Sequence, residues 1–366
     1  MALLFLEGFE GISGSTGSSS KNDCDIFMQR TPLFNNGHGS SNNSEPMIWS
    51  GRGEGSSICL GDDSSTSQQY VGFCPKSSLT TAIWGFAIRP GHRDEREVGT
   101  ITRVNDPCNE VNGHLQIDLQ EGIHLFVKAG GSTLGTVPFA VRINRWSYIE
   151  VKFTLSSSAG VVVVRINGQE VFNQKGLDTV KGSPSRDGEI GTILLRGGSG
   201  LTTDQDHNRC YDDFYVLDTT GSDNNDFLGP IKVETLLPSA NGDSTDFTPN
   251  SSTNVSRVDE VVVDDDSSYN ASSTATDLDL FDMEALSVVD GTVFGVQLDI
   301  NAGATDATVM DLVPTIKSTA EAAGDTYTIV DDTLYATYYS VFQSDPDSGA
   351  WDVTNINAMQ CGYEVG

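Results

Sequence analysis

Apolar and polar positions in the first 220 residues alternate over short stretches and do not return every three or four residues. His114-Leu115-Gln116-Ile117-Asp118-Leu119 has period 2, as a strand buried on one face does. His124-Leu125-Phe126-Val127-Lys128 repeats the pattern after a turn at Glu121-Gly122. Residues 146–155 form a longer strand, with Trp146, Tyr148, Glu150, Lys152 and Thr154 on one face and Ile149, Val151, Phe153 and Leu155 on the other. Residues 160–166 run into Asn167-Gly168 and continue as Gln169-Glu170-Val171-Phe172. Asn-Gly between β-branched runs predicts a type I′ hairpin, because both residues tolerate positive φ. Residues 81–89, 191–195 and 211–217 supply further strands, and no segment before residue 220 has a helical repeat. Many strands, long loops and no helices predict an all-β fold, a β-sandwich or jelly roll.

Gly/Ser-rich stretches at 11–23 and 34–67 read as long surface loops at the ends of such a sandwich. Residues 227–238 read as one more short strand, followed by a polar tract. The domains are therefore expected at 1–240 and 258–366, with 241–257 as a linker. The second domain shows strand patterns at 294–300, 308–316, 326–330, 334–342 and 356–365, and a short helix is expected at 278–286. It reads as a smaller β-sandwich.

Composition narrows the partners. The chain of 366 residues has 51 acidic and 21 basic side chains, a formal charge of −30 that repels nucleic-acid phosphates. No apolar run approaches the ~20 residues of a membrane span, so no membrane insertion is expected. The start, Met1-Ala2-Leu3-Leu4-Phe5-Leu6-Glu7, has no basic flank and reads as a first strand, not a signal peptide. None of the six cysteines has C-x-x-C spacing, so zinc ribbons lack support; disulfides between N-terminal loops and free buried thiols both stay open.

Hard cations bind clusters of carboxylate oxygens on loops, and Asp204, Asp206, Asp212 and Asp213 lie close together beside a strand pattern. Calcium is the one cofactor these residues suggest. The five histidines are scattered, with no H-E-x-x-H pair, and there is no G-x-S-x-G elbow and no P-loop.

Trp146-Ser147-Tyr148-Ile149-Glu150-Val151, the hairpin through Asn167-Gly168 and the strand Asp212-Asp213-Phe214-Tyr215 together resemble the concanavalin A-like (laminin G-like) jelly roll over residues 1–220. A narrower pattern extends further: Asp213-Phe214-Tyr215-Val216-Leu217-Asp218, Asn225-Asp226-Phe227-Leu228-Gly229-Pro230, Val258-Asp259-Glu260 and Asp345-Pro346-Asp347-Ser348-Gly349-Ala350-Trp351. It resembles a group of tailed-phage virion structural proteins with a concanavalin A-like domain ahead of a second β domain. That resemblance implies a place in the virion, as a tail-fibre or spike component or a head decoration protein, released by lysis. It also implies contacts with other virion proteins and a symmetric homo-oligomer, with a trimer favoured.

Jelly rolls of this family often bind sugars, so adhesion to host cell-surface glycans is expected, with Trp49 as the candidate stacking residue. Laminarinase-type glucanases of the fold carry an E-I-D-x-x-E motif, which here reads Gln116-Ile117-Asp118-Leu119-Gln120-Glu121. Glutamine cannot be the nucleophilic carboxylate of a retaining glycosidase. The chain is therefore expected not to be an enzyme. A secreted lectin-like carbohydrate-binding module and a degenerate glycoside hydrolase are the alternatives.

Overall fold

The computed structural model describes residues 2–11, 33–35, 47–53, 55–60, 70–77, 79–91, 98–105, 113–120, 124–180, 189–197, 209–261, 263–304, 309–329, 335–347 and 349–366. The chain is all-β and divides between Val233 and Glu234 into two compact units.

The first unit is a jelly-roll sandwich of two antiparallel sheets. One sheet runs, in spatial order, Gln169–Leu177, Gly160–Ile166, Ser147–Thr154, Thr81–Pro90, Arg209–Leu217, Ser56–Leu60 and Met47–Ser50; Leu3–Glu7 also pairs with Arg209–Leu217. The other runs Ser132–Val137, His124–Ala129, Gly113–Gln120, Val98–Asn105, Thr192–Arg196, Tyr70–Phe73 and Leu33–Asn35. Their inner faces meet in a core that includes Trp84, Phe86, Val151, Phe153, Val164, Leu115, Ile117 and Val127, all fully buried. Trp84 crosses between the sheets, its indole N–H donating to Thr102 Oγ1 at 3.1 Å.

The long strand keeps the expected alternation: Ile149, Val151 and Phe153 are inside the sandwich and Tyr148, Glu150 and Lys152 are on its outer side. Trp146, expected on the strand, lies one residue before it and is half-buried. The hairpin forms as expected, with Asn167 at φ 50° and Gly168 at φ 78°. The Asn167 side-chain oxygen also accepts the Tyr148 N–H at 2.9 Å. Asn167→Ala is expected to lose this bond and the tolerance for left-handed backbone, a destabilisation of about 1–2 kcal/mol in denaturant titration.

Cys59 and Cys210 face each other on neighbouring strands and form a disulfide. Cys361 is a free thiol that burial pushes up to about 12, and Cys74 Sγ lies 3.8 Å from Thr192 Oγ1. Cys24 and Cys108 lie outside the described residues.

The second unit is smaller. Its main sheet runs Pro238–Thr245, Leu278–Met283, Gln360–Val365, Met310–Lys317 and Glu321–Ala323, with Tyr327–Ile329 also on Met310–Lys317. A two-stranded ladder, Val296–Ala302 with Ala336–Phe342, lends Val296, Leu298 and Phe342 to the cluster around Ile316, Trp351 and Cys361.

Three local expectations change. The helix expected at 278–286 is the strand Leu278–Met283, because Asp279 is fully buried beside Leu280 and Phe281 and finds its partners in the Phe247 N–H and the Asn254 side chain. The stretch 241–257, expected as a linker, contains most of Pro238–Thr245, the short strand Thr248–Pro249 and the 3-10 turn Val255–Arg257. Residues 227–233 form no strand; they cross the outer side of the first sheet as an irregular strap.

Candidate functional site: the outer faces of the jelly roll

The two outer faces of the sandwich differ. On the first sheet the outward side chains of the central strands Ser147–Thr154 and Arg209–Leu217 meet other parts of the chain. Glu150, fully buried, accepts the Tyr215 hydroxyl at 2.7 Å and the Gly229 N–H at 2.8 Å. Asp213 accepts the Val233 N–H at 2.8 Å and pairs with Arg52 Nε at 2.7 Å, while the Arg52 guanidinium also donates to the Ile231 carbonyl. The Arg165 guanidinium lies 4.1 Å from the Phe227 ring centroid. Residues 227–233 are thus pinned by two strand carboxylates and two arginines, Arg52 and Arg165.

This accounts for two of the four aspartates suggested for calcium. Asp212 and Asp213 sit where the register of Arg209–Leu217 shifts, with Asp213 at φ 50°. Asp212 accepts the N–H of Arg52 at 2.5 Å and that of Asp213 at 2.8 Å, so both carboxyls are turned to protein donors. Burial, then the Asp213 charge, raises the Asp212 carboxyl to about 7; burial also raises Asp213, against the pull of Arg52. Asp204 and Asp206 lie outside the described residues. Among the described residues, no three His, Cys, Asp or Glu side chains are grouped to hold a metal.

On the second sheet the outward positions of Gly113–Gln120 and His124–Ala129 are polar except for Phe126. Asp118 is 2% exposed, with Gln116 Nε2 donating to one carboxylate oxygen at 2.7 Å and Lys128 Nζ to the other at 2.5 Å. The register explains the cluster: Gln116 is opposite Lys128, and Asp118 is opposite Phe126, so the lysine reaches diagonally across the ladder. Leu115, Ile117, Leu125 and Val127 point into the core and fix this orientation. The buried carboxylate thus fixes a half-buried amide and a half-buried ammonium side by side, and these two side chains can meet a ligand rich in hydroxyl groups.

Gln116 and Asp118, read in sequence as part of a failed glucanase motif, are therefore brought together with a lysine that the motif does not include. Glu121 lies outside the described residues. Trp49 is on the other sheet, on the edge strand Met47–Ser50; it is 37% exposed, with the Arg89 guanidinium 5.8 Å from its ring centroid. The structure does not bring it to the Gln116–Asp118–Lys128 cluster.

No protein-family model matches the chain, and no curated protein matches it in sequence. Solved structures do. Alginate lyase Aly36B is 12% identical, over 58% of this chain and 95% of its own, at a TM-score of 0.38. Domain 4 of AbnA, a GH43 extracellular arabinanase from Geobacillus stearothermophilus in complex with arabinotriose, is 14% identical, over 59% and 93%, at 0.35. The Emp47p carbohydrate recognition domain is 12% identical, over 49% and 89%, at 0.34. These neighbours are carbohydrate-binding or glycan-active β-sandwich proteins. That a lyase is among them corrects the expectation that the chain is not an enzyme. The exclusion rested on Gln116 and on missing serine and zinc motifs, and those bear only on the mechanisms that need them.

Proposed function

We propose that the jelly roll is a carbohydrate-recognition domain, and that the chain displays it on the surface of a tailed-phage virion. The observation that carries the first half is the polar cluster on the second sheet, where half-buried Gln116 and Lys128 are cross-linked through the buried carboxylate of Asp118 on adjacent strands. A rigid two-strand platform holds these groups with little freedom to lose on binding.

The virion half is supported by the resemblance to phage structural proteins. The motif residues that carry it are structural: Asp213 and Gly229 hold the strap, and Asp345, 3% exposed, accepts the Ser318 hydroxyl at 3.1 Å and the Asp347 N–H at 2.7 Å. Such residues speak for shared architecture, and the proposed partners follow from it: neighbouring virion proteins, further copies of this chain in a symmetric oligomer with a trimer favoured, and glycans of the host envelope.

A glycan array with the purified chain tests recognition. Asp118→Asn combined with Lys128→Met removes both charges at once and leaves no buried carboxylate unpaired. This variant is expected to keep its melting temperature and to bind about tenfold or more weakly. Wild-type binding no higher than background would overturn the recognition reading. Mass spectrometry of purified particles tests the location; absence of the chain's peptides would overturn it.

A further inference from the structure

We propose that Phe139, carried on the imidazole of His124, is an aromatic subsite that stacks against a pyranose ring of the bound glycan. This rests on the reading of the second sheet's outer face as a carbohydrate site. Phe139 is 76% exposed, in the connection between Ser132–Val137 and Ser147–Thr154. Its backbone has φ 52°, a conformation that bulky L residues adopt rarely and at a cost. Pro138 precedes it, so Phe139 occupies the turn position that ordinarily falls to Gly or Asn.

A large apolar side chain at a strained, exposed position has no evident folding role, but it is held in place. The Phe139 N–H donates to His124 Nδ1 at 3.2 Å, and the two rings lie 5.0 Å apart at 56°. The bond fixes the turn against the sheet, and the imidazole supports the phenyl ring from one side. The opposite ring face is the kind of surface that the C–H face of a sugar covers, apolar and electron-rich.

Its placement relative to the polar cluster favours a glycan. His124, Phe126 and Lys128 alternate outward along one strand, and Gln116 and Asp118 do so on the next. At ~3.4 Å per residue, Lys128 is ~14 Å along the strand from His124. The platform and the polar cluster therefore mark two ends of one strip, suited to an oligosaccharide of more than one ring. A second copy of this chain, the other occupant an exposed phenylalanine suggests, has no such call on the polar cluster.

The test compares wild type, Phe139→Ala, Phe139→Trp and the Asp118→Asn/Lys128→Met double variant on an array of neutral, amino and uronic-acid oligosaccharides. Calorimetric titration with the highest-scoring oligosaccharide and light scattering for mass follow. Phe139→Ala is expected to weaken binding about tenfold without lowering the melting temperature, and Phe139→Trp to retain it. If Phe139→Ala binds like wild type while the double variant loses binding, the subsite is wrong and the carbohydrate site stands. If no oligosaccharide binds wild type, both fall. If Phe139→Ala changes the mass of the particle in solution, Phe139 is a contact between copies and the subsite is overturned.

Discussion

Glu150→Ala is expected to destabilise the jelly roll by about 3 kcal/mol, a fall of roughly 6–12 °C in melting temperature for a unit of this size. The carboxylate is 0% exposed, and one of its oxygens accepts both the Tyr215 hydroxyl and the Gly229 N–H. Alanine leaves two donors without their acceptor under a layer of protein. It also frees the strap at Gly229, whose φ of +83° sets the turn there. The Tyr215 ring, buried and stacked 6.4 Å from Tyr148, loses the bond that orients it. Glu150→Gln keeps an acceptor oxygen in place, so its cost is expected to be about 1 kcal/mol. Calorimetry of the two variants gives the comparison, and amide exchange at Gly229 localises it. An alanine variant that melts with wild type and still protects Gly229 would show that the carboxylate does not hold the strap.

Glu150 also marks how far the sequence is legible. Its face on residues 147–154 follows from period-2 alternation, as does the inward set Ile149, Val151 and Phe153. The Asn167-Gly168 turn is equally local, because two residues with positive φ are written into the dipeptide. What alternation does not supply is the layer above a face. A strand with Tyr148, Glu150 and Lys152 outward reads as solvated until residues 227–233 are seen to lie across it.

The same limit hides the candidate site. Gln116 and Asp118 are adjacent outward positions on one strand, but Lys128 joins them only through the register with the next strand, which a one-dimensional pattern does not fix. The misreading of 278–286 as a helix has the converse cause. Asp279 looks like a polar-face residue, whereas it is buried and satisfied by groups 25 and 32 positions away. Phe139 had a signal in the sequence: Pro followed by a bulky residue at a turn, where a left-handed conformation is costly.

The jelly roll is expected to lose stability as pH rises from about 4 to about 7. Asp212 and Asp213 are neighbours at 2% and 1% exposure, and Arg52 serves both, its backbone N–H donating to Asp212 and its guanidinium pairing with Asp213. Burial and the charge of Asp213 raise Asp212 from 3.8 to about 7 in the folded protein. Between those values the unfolded chain has released the proton and the folded chain still holds it. The folded state then binds more protons, so stability falls with rising pH and levels off above the folded value. A shift of that size corresponds to about 4 kcal/mol as an upper figure, reduced by the coupling to Asp213. Among the described residues the pair also meets Lys232, whose charge favours the ionised Asp213, and Tyr148, whose hydroxyl donates to the Asp213 carbonyl at 2.9 Å. Asp212→Asn removes the proton from the balance at the expense of one of two accepted N–H bonds. Its diagnostic is therefore the slope: melting temperature against pH, from 4 to 8, is expected to fall in wild type and to be markedly flatter in the variant. Parallel slopes would assign the pH dependence to the −30 charge of the whole chain and not to this pair.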